Sequence, residues 1–540
     1  MPLYIGIFFF YILKKTVVIK MKKYKKVSFL LLIILIVSVI VFVMNSKKET
    51  PSQNNKKEAE TSSIRAHYHF TVPDKWKNDP QRPLYLNGKY HYYYLYNRDY
   101  PEGNGTEWRH ATSEDLVHWQ DEGVAIPKYT NENGDPWSGT VVIDWENTAG
   151  FGEGAFVAIV TQPSADGGKQ EQFLWYSTDK GQTFTPYGDK PIMENPGTHD
   201  FRDPKVMWDE RDEKWKMVMA EGAKIGFYES NNLINWEYTS GFTTEGMGIV
   251  ECPDLYLMQA DDGALKWVLG VSANGLSTNK PNTYAYWIGD FNGKEFIAEQ
   301  NDPQWLDYGF DWYGGVTFED GTEKDNLTRR YAFAWMNNWA YANNTPTLQE
   351  DFNGMDSIVR QIELKHEGDN HYYLASQPIE ALNKLETTSE SFKNINVNGT
   401  KTLPLKGDVY QLEADISWEK LKNVGLRLRE SADKKKHVDV GIFYNPEQPY
   451  FYVNRSNTGH PDENLQLVES TSPFNTNKKQ VHLKILVDTT SIEVFIDDGK
   501  KVHSQVIFPE ENDQGISLFS DGGEAIFSNL KFTNMKSVNN

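Results

Sequence analysis

From about residue 64 onward, apolar residues come in short runs rich in rings and β-branched side chains, and each run ends at Gly, Asn, Asp or Pro. YHYYYLYN (90–97), GTVVIDW (139–145), FVAIVTQ (156–162), KWKMVMAEG (214–222) and KWVLGVSANG (266–275) are examples. Such side chains fit a pleated, half-buried surface, and turn residues at this spacing predict an all-β body. Long stretches of helical period are scarce.

Three segments repeat a texture in order. HATSEDLVHW (110–119), WYSTDKGQTF (175–184) and YESNNLINW (228–236) share a Ser, a polar turn and a closing aromatic. A recurrence of roughly fifty to sixty residues is about one four-stranded propeller blade. Past residue 385 the Trp-rich pattern stops. DVYQLEADISW (408–418), VGLRLRES (424–431), HVDVGIFY (437–444), QVHLKILVD (480–488) and SIEVFIDDGK (491–500) read as strands, with a hairpin turn at IDDG. The expected order is a propeller over 64–365, a partly helical linker over 366–385, and a β-sandwich over 386–540.

The N-terminus has a different pattern. VSFLLLIILIVSVIVFVM (27–44) is uncharged and long enough to cross a bilayer as a helix. Lys22, Lys23, Lys25 and Lys26 precede it, which predicts a cytoplasmic start and an exported body. No small-residue cleavage site follows, so the run reads as a signal anchor, single-pass, with a secreted form as the alternative. Residues 45–63 are polar and read as a flexible spacer. Met21 has the look of a start, with 1–20 an upstream extension.

Composition narrows the partners. A formal net charge of −20 argues against nucleic acid, which needs clustered Lys and Arg. Cys252 is the single cysteine, so no intrachain disulfide forms. The 16 Trp and 29 Tyr suit either sugar stacking or a ring-rich β core. His67 and His69 form a His-x-His pair with no partner cluster and read as structural or solvated; no metal or cofactor is expected. A monomer is expected.

Three acidic motifs sit at turns beside aromatics: WKNDP with Asp79, FRDP with Asp203 and ECPD with Glu251. Singly, each is an ordinary turn or strand-edge acid. Together they suit glycosidic cleavage, which needs one carboxyl group as nucleophile or base and another as proton donor. In a propeller, inner strands of successive blades meet at one funnel, so acids distant in sequence can converge. Arg202 beside Asp203 would favour its ionised form. Cys252 reads as a small buried neighbour, not a nucleophile.

The order WKNDP, WSGT, FRDP, ECP resembles the fructofuranosidase, levanase and inulinase family of glycoside hydrolases, family 32, from about His67 to the C-terminus. The resemblance implies a five-bladed propeller with a β-sandwich and a retaining mechanism. It implies Asp79 as nucleophile, Glu251 as general acid/base and Asp203 as transition-state stabiliser. It places Trp76, Asn78, Trp108, Trp137, Ser138, Arg202 and Trp335 near the sugar. Gln81, Arg82 and Pro83 depart from the family's usual continuation, and Leu95 stands where many members have Gln; neither departure alters a catalytic carboxylate. The segments 97–111, 307–320 and 335–347 are similar to those of levanbiose-producing levanases, which implies a β-2,6-fructan substrate and a disaccharide product. Tyr96–Tyr100 and Phe310–Tyr313 are the candidate loops for extra subsites. An exo-acting fructosidase, a fructosyltransferase and a fructan-binding protein without activity are the alternatives.

Overall fold

A computed structural model describes residues 64–540, apart from 102–104, 131–132, 165–167, 279, 324–325, 370, 445–446, 465, 476 and 539–540. The anchor and spacer expected over 27–63 lie outside the described residues. Among those described, no helix is long and apolar enough to cross a membrane.

Five antiparallel sheets follow one another as propeller blades. Their innermost strands are Lys75–Pro80, Gly139–Asp144, Arg202–Asp209, Val250–Gln259 and Tyr313–Glu319. The ring closes where Phe352–Asn353, from the fifth blade's chain, pairs in parallel with Lys75 and Trp76 of the first. A bridge from Thr71 to Met355 reinforces the closure.

The repeat seen in the sequence is the outer hairpin turn of the first three blades. Ser113 Oγ accepts from the Asp115 and Leu116 N–H groups, Ser177 Oγ from Asp179 and Gly181, and Ser230 Oγ from Asn232. The Asp or Asn two residues on then accepts from the next backbone amides, as Asp115 does from Val117 and His118. These residues are used because their short polar side chains replace backbone hydrogen bonds in a tight turn.

Between neighbouring blades lie five apolar clusters. Tyr93, Trp108, Phe156 and Trp175 join the first to the second, and Val157, Leu174, Met217 and Leu233 the second to the third. Tyr284, Trp312, Ile362 and Leu374 fill the fourth gap. The second strands are therefore buried on both faces, which is why KYHYYYLYN (89–97) shows no polar alternation. Phe156 is fully buried, and its truncation to Ala would cost about 3–5 kcal/mol.

The C-terminal sheet has ten strands and folds into two layers. The 21-residue strand Gly515–Met535 links them: its first part pairs with Asn423–Glu430 and its second with Tyr410–Trp418. Apolar side chains from both layers make one core, including Leu412, Val424, Val440, Ile485, Val494, Leu518 and Phe527. The expected linker over 366–385 is mostly propeller: Tyr372–Pro378 is the outermost strand of the fifth blade. Alternate burial of Tyr372 and Leu374 against Tyr286 and Trp312 places it there. Only the 3-10 turn Glu380–Leu385 connects the two parts, with Leu382 and Leu385 buried.

The sandwich meets the propeller through Leu486, Phe495 and Val502, which join Tyr92 and Phe333 in one cluster. It also meets it through buried charge. Glu493 accepts from Arg360 of the fifth blade at 3.1 Å and pairs with His69 at 2.9 Å, while His69 pairs with Asp488 at 2.8 Å. His69 is thus structural. Burial alone would lower its pKa, but the two carboxylates outweigh it and raise the group to about 9.

Candidate active site

Four of the five inner strands break their ladder at the same height: between Lys77 and Pro80, Arg202 and Lys205, Glu251 and Asp254, and Tyr313 and Val316. The sequence explains three of these. Pro80, Pro204 and Pro253 carry no N–H and cannot continue a ladder, and they restrict the residue before them. A bulge turns side chains that would alternate toward one place, here the funnel. Asp203 and Cys252 adopt left-handed φ of 60° and 48°. For residues other than Gly this costs on the order of 1–3 kcal/mol each, held by the surrounding sheet. In the fifth blade Gly314 takes the position with φ 61°; a Cβ there would lie 3.1 Å from Asp79 Oδ1.

The bulges bring Asp79, Asp203, Glu251 and Cys252 together. Ser138 Oγ donates to Asp79 Oδ2 at 2.6 Å, and Asn78 Nδ2 to Asp79 Oδ1 at 3.2 Å. The Cys252 N–H donates to Asp203 Oδ2 at 3.0 Å. Cys252 Sγ lies 3.9 Å from Asp79 Oδ2 and 3.7 Å from Asp203 Oδ2. The thiol is a buried spacer between two acids, and burial followed by their charges pushes its pKa well up. Arg202 Nε donates to Glu251 Oε1 at 3.0 Å and lies 4.0 Å from Asp203 Oδ2, while its Nη1 bonds Asp200 and reaches Gln170 at 3.2 Å. The Tyr313 hydroxyl donates to the other Glu251 oxygen.

Three acids in one funnel repel one another. Burial, then the Glu251 and Asp79 charges, push Asp203 above the usual carboxylate range, against the pull of Arg202. Burial and Glu251 push Asp79 the same way, while Ser138, Asn78 and Lys77 oppose. Asp79 and Glu251 keep part of their surface in the funnel, whereas Asp203 is 4% exposed. The arrangement offers two partly open carboxylates with different partners, and a third held beside an arginine, as acid-and-nucleophile chemistry needs.

Of the other seven predicted residues, Trp137 is half-buried beside Ser138 and the remaining six fall into two groups. Trp76, Asn78, Ser138 and Arg202 are at the centre; the Trp76 indole N–H donates to Asn78 Oδ1 at 3.0 Å. Trp108 and Trp335 have no exposed surface and act from behind. Trp108 donates to the carbonyl of Trp137 at 2.9 Å, fixing the segment that carries Ser138 into the inner strand Gly139–Asp144. Trp335 packs edge-on against Trp76, 5.8 Å between ring centroids. Leu95 is buried in the first inter-blade cluster. Tyr100 packs on Trp76 with ring centroids 4.9 Å apart and planes tilted by 30°. Tyr96 instead donates to Asp74, and in the other loop Asp311, Trp312 and Tyr313 are buried.

Sequence reasoning missed several supports. Gln81 touches no carboxylate oxygen but braces the backbone around one: its Nε2 reaches the Asp79 carbonyl at 3.2 Å and Ser138 Oγ at 3.4 Å, while its Oε1 accepts from the Gly139 N–H at 2.8 Å. Arg82 donates to the Pro253 carbonyl at 2.5 Å and so ties the first motif to the third. Tyr313 had a signal: Tyr-Gly-Gly holds the place in the fifth inner strand that Arg-Asp-Pro and Glu-Cys-Pro hold in the third and fourth.

The comparisons with known proteins agree with this geometry. The family models "Glycosyl hydrolases family 32 N-terminal domain" and "Glycosyl hydrolases family 32 C terminal" match residues 69–378 and 380–534. A levanbiose-producing levanase of Bacillus subtilis is 64% identical over 482 residues, 89% of this chain and 93% of the relative. One from Geobacillus stearothermophilus is 65% identical over 73% of this chain and 100% of the relative. The crystal structure of exo-inulinase from Aspergillus awamori superposes with a TM-score of 0.78 at 28% identity, over 88% of this chain and 99% of that one. With both family domains matched in order and three acids at its centre, this chain belongs to glycosyl hydrolase family 32 and is a glycoside hydrolase.

Proposed function

We propose that this enzyme hydrolyses β-2,6-linked fructan with retention of configuration and releases the disaccharide levanbiose. The observation that carries the reaction is the meeting of Asp79, Asp203 and Glu251 around Cys252. Identity of 64% and 65% to two levanbiose-producing levanases supports the substrate and product. Asp79 attacks the anomeric carbon of a fructosyl unit as Glu251 gives its proton to the departing oxygen, so the glycosidic bond breaks while a fructosyl ester forms. Glu251 then takes a proton from water, which attacks the same carbon and frees Asp79. Asp203 binds fructose hydroxyls beside the developing charge. Arg202 and Tyr313 hold Glu251 in the geometry for both proton transfers.

A disaccharide product needs room for two fructosyl units on the non-reducing side. Trp339 suits that role: it is 46% exposed, with its ring centroid 4.8 Å from Trp335 and 6.2 Å from Trp76. It forms a ring surface continuous with the wall built on the first motif. The body acts outside the cell, tethered by residues 27–44, and works as a monomer. The test is product analysis with levan, inulin and sucrose. Levanbiose from levan, with the other two nearly untouched, is expected; free fructose from all three would replace this reading with a general exo-fructosidase. Membrane fractionation with and without residues 27–44 tests the tether: equal release of both forms into the medium refutes it.

A further inference from the structure

The segment that ends at Tyr313 is held by the sandwich, residue by residue. Asp307 Oδ1 accepts from the Ser504 N–H at 3.0 Å and Asp307 Oδ2 from the Ser504 hydroxyl at 2.7 Å. The N–H groups of Phe310 and Asp311 donate to the Ser504 carbonyl at 3.1 and 3.2 Å. Gly309 lies flat on the same strand: a Cβ there would come within 2.0 Å of Ser504 O. Asp311 Oδ2 then accepts from Arg455 Nη1 at 2.8 Å and from the Val506 N–H at 2.8 Å. Its Oδ1 accepts from the Tyr341 hydroxyl at 2.6 Å, and Arg455 Nη2 donates to that same hydroxyl at 2.8 Å. Arg455 is itself fixed by the carbonyls of Leu467 and Val506, and the Arg455 and Asp311 side chains are both fully buried. Two residues after Asp311, the Tyr313 hydroxyl meets Glu251.

We propose that the sandwich is part of the catalytic apparatus: Arg455, by clamping Asp311, positions the Tyr313 hydroxyl on Glu251 and so sets the acid/base for proton transfer. Arg455 is a positioning residue, since it touches neither substrate nor Glu251. A guanidinium suits the task because its rigid planar fork serves Asp311, the Tyr341 hydroxyl and the Leu467 and Val506 carbonyls at once, four acceptors where an ammonium has three N–H groups. The charge of Arg455 is matched by Asp311, so the clamp acts at the segment and brings no net charge to it. This inference rests on Glu251 being the acid/base.

The experiment is a double-mutant cycle on kcat with levan, using Tyr313→Phe, Arg455→Met and the pair, with thermal melts to establish folding. Removing a hydrogen bond to a charged group is expected to lower kcat about tenfold or more in Tyr313→Phe. Arg455→Met should lose a similar factor, and the pair should lose no more than Tyr313→Phe alone, because both act through one hydroxyl. Losses that multiply would overturn the inference and leave Arg455 a stability residue only. Arg455→Lys, which keeps a charge opposite Asp311, runs the same cycle should Arg455→Met not fold. A second readout uses azide, which attacks a fructosyl ester without needing a base, and an aryl fructofuranoside, which needs little acid assistance. Azide should restore turnover in Glu251→Gln and, to a lesser degree, in Tyr313→Phe and the Arg455 variants. No response in Glu251→Gln would refute the acid/base assignment itself. A response there with none in the Arg455 variants would refute the clamp alone.

Discussion

Replacing His69 by Gln should weaken the enzyme at neutral pH and not at high pH. His69 is buried between Asp488 at 2.8 Å and Glu493 at 2.9 Å. Burial opposes its charge, but hydrogen bonds to both carboxylates win and raise its pKa from 6.5 to about 9. A group raised in the folded state stabilises it most below the unfolded value and ceases to do so as pH climbs through the folded one. The rise corresponds to about 3 kcal/mol, fully present below about pH 6.5 and gone above about pH 9. Asp488 keeps its backbone donors His67, Tyr68 and Thr489, and Glu493 keeps Arg360, so neither acid is left bare. The assay is urea unfolding of both proteins at about pH 6, 8 and 10, read as the difference between them so that other titrations cancel. The difference should be about 3 kcal/mol at the lowest pH and shrink steadily. A constant difference across the range would show that the ring contributes by packing, and that the interface histidine carries no proton.

Four further outcomes follow from the site. Asp79→Asn and Glu251→Gln should each lower kcat by about 10²-fold or more with little change in melting, since each keeps the side chain's shape and removes a charge from a site where the acids repel one another; near-normal rates in both would refute the mechanism. Gln81→Leu should leave the Gly139 N–H unpaired and loosen Asp79 and Ser138, costing about 1–3 kcal/mol in stability and a measurable loss in kcat. Cys252 should resist iodoacetamide in the folded enzyme and react only on unfolding, because it is buried and the adjacent acids disfavour its thiolate. Gly309→Ala should lower the melting temperature, as its Cβ would overlap the Ser504 backbone.

What the sequence disclosed, and what it hid, divides along a physical line. Strands and outer turns were legible because their causes are local: ring-rich runs, and Ser followed two residues later by Asp or Asn, which caps a turn with its own side chain. The acids are legible because each lies one or two residues before a proline that breaks a strand. Tyr372–Pro378 reads as linker from its sequence because its partners, Arg360–His366 and the cluster around Tyr286, are fixed by ring closure and not by its own pattern. The support that Gln81 and Tyr313 give is illegible in the sequence because hydrogen bonding across blades leaves no periodicity. Arg455 was hidden for the same reason: Asp311 lies 144 residues away in the chain.

The site's charge balance is built from the same motifs that supply its acids. Lys77 precedes Asp79 by two positions, Arg202 adjoins Asp203, and Lys205 follows it by two. Left free, these cations would collapse onto the three funnel acids and lock them as structural ion pairs. Two further carboxylates prevent that for the lysines. Asp356 bonds Lys77 and accepts from the Tyr92 hydroxyl at 2.5 Å, and Asp254 holds Lys205 at 2.8 Å and accepts from Thr317 at 2.7 Å. Burial lowers the Lys205 pKa to about 8, with Asp254 opposing, and the Asp254 carboxyl is held well below its usual range by Lys205 and its neighbours despite burial. Arg202 is shared among Asp200, Glu251 and Asp203, so no single funnel acid owns a cation. That sharing is what leaves Asp79 and Glu251 chemically different from each other: one is held by a hydroxyl and an amide, the other by a guanidinium and a phenol.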